Sequence, residues 1–113
     1  MKPEKIADYL SHIRQATEEA SVFVEQMTEC DFENDLRTQR AVVMNLVIIG
    51  EAAARLMDAF PEFISAHPEI PWAGIRGMRN RLAHGYFEIN TNLVWKTIQI
   101  ELPKLLANLS KLP

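Results

Sequence analysis

The chemically loaded part of this chain is the run MRNRLAHGYFEIN, residues 78 to 90, which places Arg79, Asn80, Arg81, His84 and Tyr86 close together beside Gly85. Guanidinium, amide and imidazole are the donors a phosphodiester would meet, the first through charge-assisted and often bidentate hydrogen bonds. On a helix at 100° per residue, Ile75, Met78 and Leu82 fall on one side and Arg76, Asn80 and Ala83 fall opposite. The first face is expected to pack inward and the second to form a solvent-facing groove edge. Arg79 and His84 flank that polar side about 140° apart, because five residues make about 500° of turn. One straight helix does not easily aim both at the same atom. Either the helix ends just before His84, or a second copy completes the site across a two-fold axis.

Taken singly, each residue has an ordinary structural explanation. The helix dipole favours Arg79 near a C-terminus, Asn80 can bond a loop carbonyl, and His84 before Gly85 can be a C-terminal cap residue. Tyr86 can be a half-buried aromatic whose hydroxyl finds a partner. Only the joint spacing raises the functional reading. Glu51 stands apart: it is a carboxylate in a strongly apolar segment, where unpaired burial is costly. Arg55, one turn on, can pair with it, or Glu51 can reach across the bundle and orient Arg79 or His84. Carboxylate–histidine metal sites in bundles use Glu-x-x-His pairs, and the sequence has none, so no metal and no cofactor are expected. His12 reads as a helix-surface residue and His67 as a loop residue before Pro68. Cys30 is the single cysteine, so no internal disulfide or thiolate zinc site is possible.

The elements that must carry these groups are helical. The chain has 113 residues, 48% hydrophobic and 24% charged, the composition of one ordinary globular domain spanning 1–113. There is no apolar run long enough for a membrane span and no signal-peptide core, so a cytoplasmic, membrane-free protein is expected. Twelve basic residues against fifteen acidic give a net charge of −3. A nucleic-acid role must therefore rest on a local patch, with Arg76, Arg79 and Arg81 as its candidate contacts.

Apolar residues at three- and four-residue steps, from Ile6 through Ile13 and Ala20 to Phe23, Val24 and Met27, predict a long first helix with Pro3 in its first turn. A second helix over 36–60, capped by Asp31 or Asn34, ends before Pro61. Its centre, AVVMNLVIIG, is apolar nearly all round, which suits the middle of a bundle or partial burial against a second subunit. A proline-rich connector with one possible helical turn leads to a third helix over 72–84, stopped by Gly85. Asn90 or Thr91 can cap a last helix in which Pro103 should produce a kink. The fold class is all-α, a compact bundle of four to five helices.

The joint pattern RNRLAHGY, an Arg-x4-His-x-Tyr arrangement, resembles the signature of the HEPN superfamily, and specifically of HepT-like toxins. NLVIIGEAAARL, 45 to 56, is similar to that family's second-helix segment, and PWAGIRGMRNRLAHGYFEIN to its motif helix and the turn beyond. The resemblance implies a homodimeric, metal-independent endoribonuclease, the toxin of a type VII-like, HepT/MntA-type toxin–antitoxin pair with a nucleotidyltransferase antitoxin as partner. Arg79, His84 and Asn80 would be its catalytic residues, and RNA its substrate. The family likeness further implies that the partner attaches AMP to Tyr86. A rival expectation is a non-catalytic nucleotide- or RNA-binding module that only partners the nucleotidyltransferase.

Overall fold

The structure, a computed structural model, describes residues 5–85 and 89–112. Every described element is a helix, as the periodicity predicts. The first, α1, runs Ile6–Phe23, and the Asp8 carboxylate accepts the Lys5 N–H at 3.0 Å to satisfy one of its open N-terminal donors. Pro3 lies outside the described residues. Leu10, Ile13, Ala16 and Ala20 form the buried stripe, continued by Val24. Phe23 was expected in that stripe but is 42% exposed, because only Val24, four residues after Ala20, continues the inward face.

α1 ends at Phe23, four residues before Met27, the last residue of its apolar pattern. Gln26 adopts φ 63°, turning the chain, and Thr28 then opens a short helix, α2 (Glu29–Glu33). Thr28 Oγ1 accepts the Asp31 N–H at 3.1 Å while the Asp31 carboxylate accepts the Thr28 N–H at 3.0 Å. This reciprocal pair is a capping box, and it overrides the continuing hydrophobic period. Asp31 is therefore inside α2, and Asn34 closes it, so neither caps the next helix. Asp35 does: its carboxylate takes the Thr38 N–H at 3.0 Å and the Thr38 hydroxyl at 2.7 Å. The Thr38 N–H, followed by the Thr38 hydroxyl, holds the Asp35 carboxyl below its ordinary value.

Helix α3 (Leu36–Ala59) is the centre of the molecule, packing on α1 along one side and on α5 along another. Val42, Val43, Leu46, Ile49, Ala53 and Leu56 are buried, while Met44 and Leu36 are 58% and 57% exposed. Within the apolar segment 41–50, Met44 and Ile48 stay uncovered, so the segment is both the middle of the bundle and an apolar surface. Buried Asn45 ties α3 to α1, donating from Nδ2 to the Ala16 carbonyl at 3.1 Å and to Glu19 Oε1 at 3.3 Å, which meets the requirement that a buried amide be bonded.

The connector contains α4 (Pro61–Ala66), with Pro61 at its first turn. Trp72 opens α5 (Trp72–His84) and anchors it, its ring buried and its indole N–H donated to the His67 carbonyl at 3.0 Å. Asn90 caps α6 (Thr91–Lys96), accepting the Leu93 N–H at 3.0 Å. The kink expected at Pro103 takes the form of a π-helical turn, Thr97–Glu101, before α7 (Leu102–Leu109). Proline has no N–H to give the carbonyl one turn back and its ring crowds that carbonyl, so the preceding turn widens. Val94, Ile98, Leu102, Leu105 and Leu109 keep one buried face through the widened turn. Phe32 of α2, fully buried, meets Trp95 with ring centroids 5.6 Å apart, fastening the short helix to α6.

Candidate active site

Gly50 decides where the motif helix lies. It is buried in α3, and a Cβ there would overlap the Arg79 Cβ, stand 2.8 Å from the Arg79 Cγ and stand 3.1 Å from the Ile75 carbonyl oxygen. The alkyl stem of Arg79 therefore rests directly on the α3 backbone, a close approach that only glycine permits. One residue along, Glu51 Oε2 accepts from Arg79 Nη1 at 2.8 Å, and Glu51 Oε1 accepts from Arg55 Nε at 3.2 Å. Glu51 thus contacts both Arg55 and Arg79, since a carboxylate has two oxygens and the two arginines approach different ones.

The wheel put Arg79 on the flank of the polar, solvent-facing side. Its side chain is only 24% exposed, held between α3 and α5, with Nε buried and without a hydrogen-bond partner among the described residues. A flank position becomes an interior one when glycine lets the facing helix come this close. The pair is short and charge-assisted, but the Glu51 side chain is 45% exposed, so its contribution to stability is on the order of 1 kcal/mol. Its larger effect is orientation: an arginine has many rotamers, and this one is held in a single direction. Two guanidiniums share one carboxylate, leaving the cluster net positive.

The other motif residues sit on the same helix. Helix α5 continues through His84, which is exposed, so the helix does not end before the histidine. The Gly85 N–H donates to the Arg81 carbonyl at 2.8 Å, and a Cβ on Gly85 would press on that same oxygen. Because the helix persists, the divergence of about 140° between Arg79 and His84 applies as the wheel has it. Asn80 and Arg81 are exposed and Arg76 is half-buried, and none of these side chains, nor that of His84, makes a hydrogen bond among the described residues. Leu82 is buried and Ile75 and Met78 pack against the core, as the apolar side of the helix requires. Tyr86 lies outside the described residues. The structure thus brings together Arg79, Glu51 and Arg55, and among the described residues His84 makes no hydrogen bond to Arg79.

Sequence reasoning missed Gly50 as the seat of the motif helix. The signal was available: a lone glycine inside an otherwise unbroken helical pattern costs about 1 kcal/mol relative to alanine and often marks a close packing contact. Among the described residues no three His, Cys, Asp or Glu side chains converge as a metal site would need.

Fold and site together define a class: an all-helical protein in which an anchored arginine and an exposed histidine, five residues apart, share one helix. Residues 13–112 match the family model described as Ribonuclease HepT-like, and the chain belongs to that family. It is similar to "Probable ribonuclease HepT" of Thermococcus cleftensis, 38% identical over 105 residues covering 93% of each chain. A "Putative RNase" of Caldanaerobacter subterraneus is 41% identical over 97 residues, 86% of this chain and 84% of that one. Another protein of that name, from Methanocaldococcus jannaschii, is 32% identical over 103 residues, 91% of this chain and 83% of that one. No solved structure matches the chain significantly. No described helix is long and apolar enough to cross a membrane.

Proposed function

We propose that this protein is a metal-independent endoribonuclease that cleaves RNA by attack of the substrate's own 2′-hydroxyl. The observation that carries the proposal is the Arg79 guanidinium, fixed by Glu51 on the helix whose last residue is the exposed His84. His84 removes the 2′-hydroxyl proton as the 2′-oxygen–phosphorus bond forms, and the phosphorus–5′-oxygen bond breaks as water donates a proton to the leaving 5′-oxygen, the proton held by His84 returning to solvent. Arg79 stabilises the charge gathering on the phosphoryl oxygens, and because Glu51 has already oriented it, little reorganisation is needed in the transition state. Asn80 orients the phosphate or the imidazole, and Arg76 and Arg81 hold flanking phosphates. The products are a 2′,3′-cyclic phosphate and a 5′-hydroxyl, and DNA, lacking the nucleophile, is not a substrate.

The divergence of Arg79 and His84 favours a homodimer in which each groove draws on both copies, and the uncovered Leu36 and Met44 on α3 supply apolar surface for the contact. The biological role we infer is that of a toxin neutralised by a nucleotidyltransferase antitoxin that attaches AMP to Tyr86. A phosphodiester tethered two residues beyond His84 would compete with the RNA phosphate for Arg79 at high local concentration.

The test is incubation of purified protein with single-stranded RNA in EDTA, with analysis of product ends. Cleavage giving cyclic phosphates, abolished in Arg79→Ala and His84→Ala, is expected. Full activity in either variant, or cleavage that stops when metal is chelated, refutes the mechanism. Co-expression with a nucleotidyltransferase antitoxin should add mass in AMP steps to the wild type and not to Tyr86→Phe. Complete neutralisation of Tyr86→Phe overturns the regulatory part.

A further inference from the structure

Beside the Glu51 carboxylate that holds Arg79, a recess of about 440 Å³ opens between α1 and α3, bordered by Tyr9, His12, Ile48, Glu51, Ala52 and Arg55. Nothing in the cleavage chemistry above uses it. Tyr9 and His12, three residues apart on α1, lie on one face of that helix. The Tyr9 ring is set by Phe60, edge-on at 6.5 Å between centroids, so it offers a fixed surface. Ala52 is buried beneath, and Ile48 is 39% exposed, an aliphatic side chain left uncovered between two ring-bearing positions and a guanidinium. Arg55 uses Nε on Glu51 and makes no other hydrogen bond among the described residues.

We propose that this recess receives the nucleobase of the nucleotide next to the phosphate held by Arg79, and so selects unpaired RNA. The inference rests on the ribonuclease reading and deepens it. A base displaced from its stack has two apolar faces and a polar edge, and proteins take up such bases on aromatic rings and guanidinium planes. Tyr9 and His12 supply the rings, Ile48 and Ala52 the apolar floor, and Arg55 a cation for the base edge or the adjoining phosphate. Charge permits it: the one carboxylate at the rim, Glu51, is shared by Arg55 and Arg79, so the rim is net positive toward a polyanion. Continuity gives the register, since Glu51 borders the recess with one oxygen on Arg55 and holds Arg79 with the other. A paired base cannot enter, because its edge and both faces are already engaged in the duplex. His12 is here a binding residue on the helix surface and takes no part in proton transfer.

The experiment uses the full chain carrying His84→Ala, to prevent cleavage, and a fluorescein-labelled single-stranded hexaribonucleotide alongside an abasic ribose-phosphate oligomer of the same length. Binding is read by anisotropy, and light scattering reports the oligomeric state. His12→Ala and Tyr9→Leu, the latter keeping apolar bulk against Phe60, should each weaken the base-bearing oligomer about tenfold and leave the abasic one unchanged. Arg79→Ala should weaken both. In the cleaving protein the same two substitutions should fall on KM rather than on kcat. The proposal is overturned if neither variant changes base-dependent binding, if both oligomers weaken equally, or if the base-bearing oligomer binds no better than the abasic one. It is equally overturned if the variants alter only the oligomeric state, which would put a second copy of the chain in the recess. Base-dependent binding lost in His12→Ala in a protein that cuts no RNA would retain the recess and remove the ribonuclease reading. Cleavage with base dependence untouched would do the reverse.

Discussion

Replacing Gly50 with alanine should damage activity far more than it damages the fold. In an exposed helix interior this change would stabilise by about 1 kcal/mol through helix propensity. Here the new methyl would overlap the Arg79 Cβ and stand 2.8 Å from its Cγ and 3.1 Å from the Ile75 carbonyl. Restoring about 3.5 Å, the short side of ordinary carbon contact, moves Cγ by about 0.7 Å, and the closer Cβ requires more. The stem atoms of Arg79 are fixed to the α5 backbone, so α5 itself must withdraw by on the order of 1 Å. Overpacking of this kind costs about 1 to 3 kcal/mol, which after the propensity gain leaves a net loss of about 0 to 2 kcal/mol. For a chain of this size that is a fall in Tm of up to about 10 °C. Displacing a guanidinium by about 1 Å from its working position costs about a hundredfold in rate. Circular dichroism melts and kcat/KM on single-stranded RNA, measured on the same preparation, are the assay. A Gly50→Ala protein with raised Tm and undiminished kcat/KM would show that α5 does not depend on this contact.

Glu51→Gln keeps the side-chain shape but removes the charged acceptor, and should lower kcat at least about tenfold while Tm moves by only a few degrees, because a half-exposed pair contributes about 1 kcal/mol or less. An unchanged kcat would exclude an orienting role for the carboxylate. His84→Ala should leave Tm within about 2 °C of wild type, since the residue is exposed, whereas Arg79→Ala should lower it measurably because its stem is packed between helices. Asp35→Ala should lower Tm by about 5 °C at neutral pH through loss of the α3 cap. The Asp35 carboxyl is held below 3.8 in the folded protein, so its stabilisation is fully present above about pH 4 and is lost as pH falls through the folded value. The gap between wild type and Asp35→Ala should therefore shrink below pH 4, and a gap that widens there would contradict the capping geometry. Light scattering at micromolar concentration should find a dimer that Met44→Glu dissociates.

The sequence by itself determined the helices wherever hydrophobic period and local signals agree. The motif helix, 72 to 84, runs from Trp72 to its stop at Gly85 as expected, and Asn90 caps α6, because caps and turn residues act within a few positions of themselves. The groups on which the proposed chemistry rests, guanidinium, amide and imidazole at that spacing, are likewise a property of the chain. Where two local signals competed, period lost to capping. The Thr28–Asp31 box cut α1 short and made α2, which moved the cap of α3 to Asp35. Tertiary structure alone decided what Gly50 is for, because a missing side chain has meaning only when another helix occupies its place. It alone decided that Glu51 engages Arg55 and Arg79 at once. The first partner is one turn away on the same helix and can be read from spacing; the second is 28 residues distant and reachable only because α5 rests on the α3 backbone. For the same reason Arg79, on the flank of the polar side by the wheel, is part-buried: a helical wheel describes the angle of a side chain about its own axis, and exposure depends on how closely the neighbouring axis approaches.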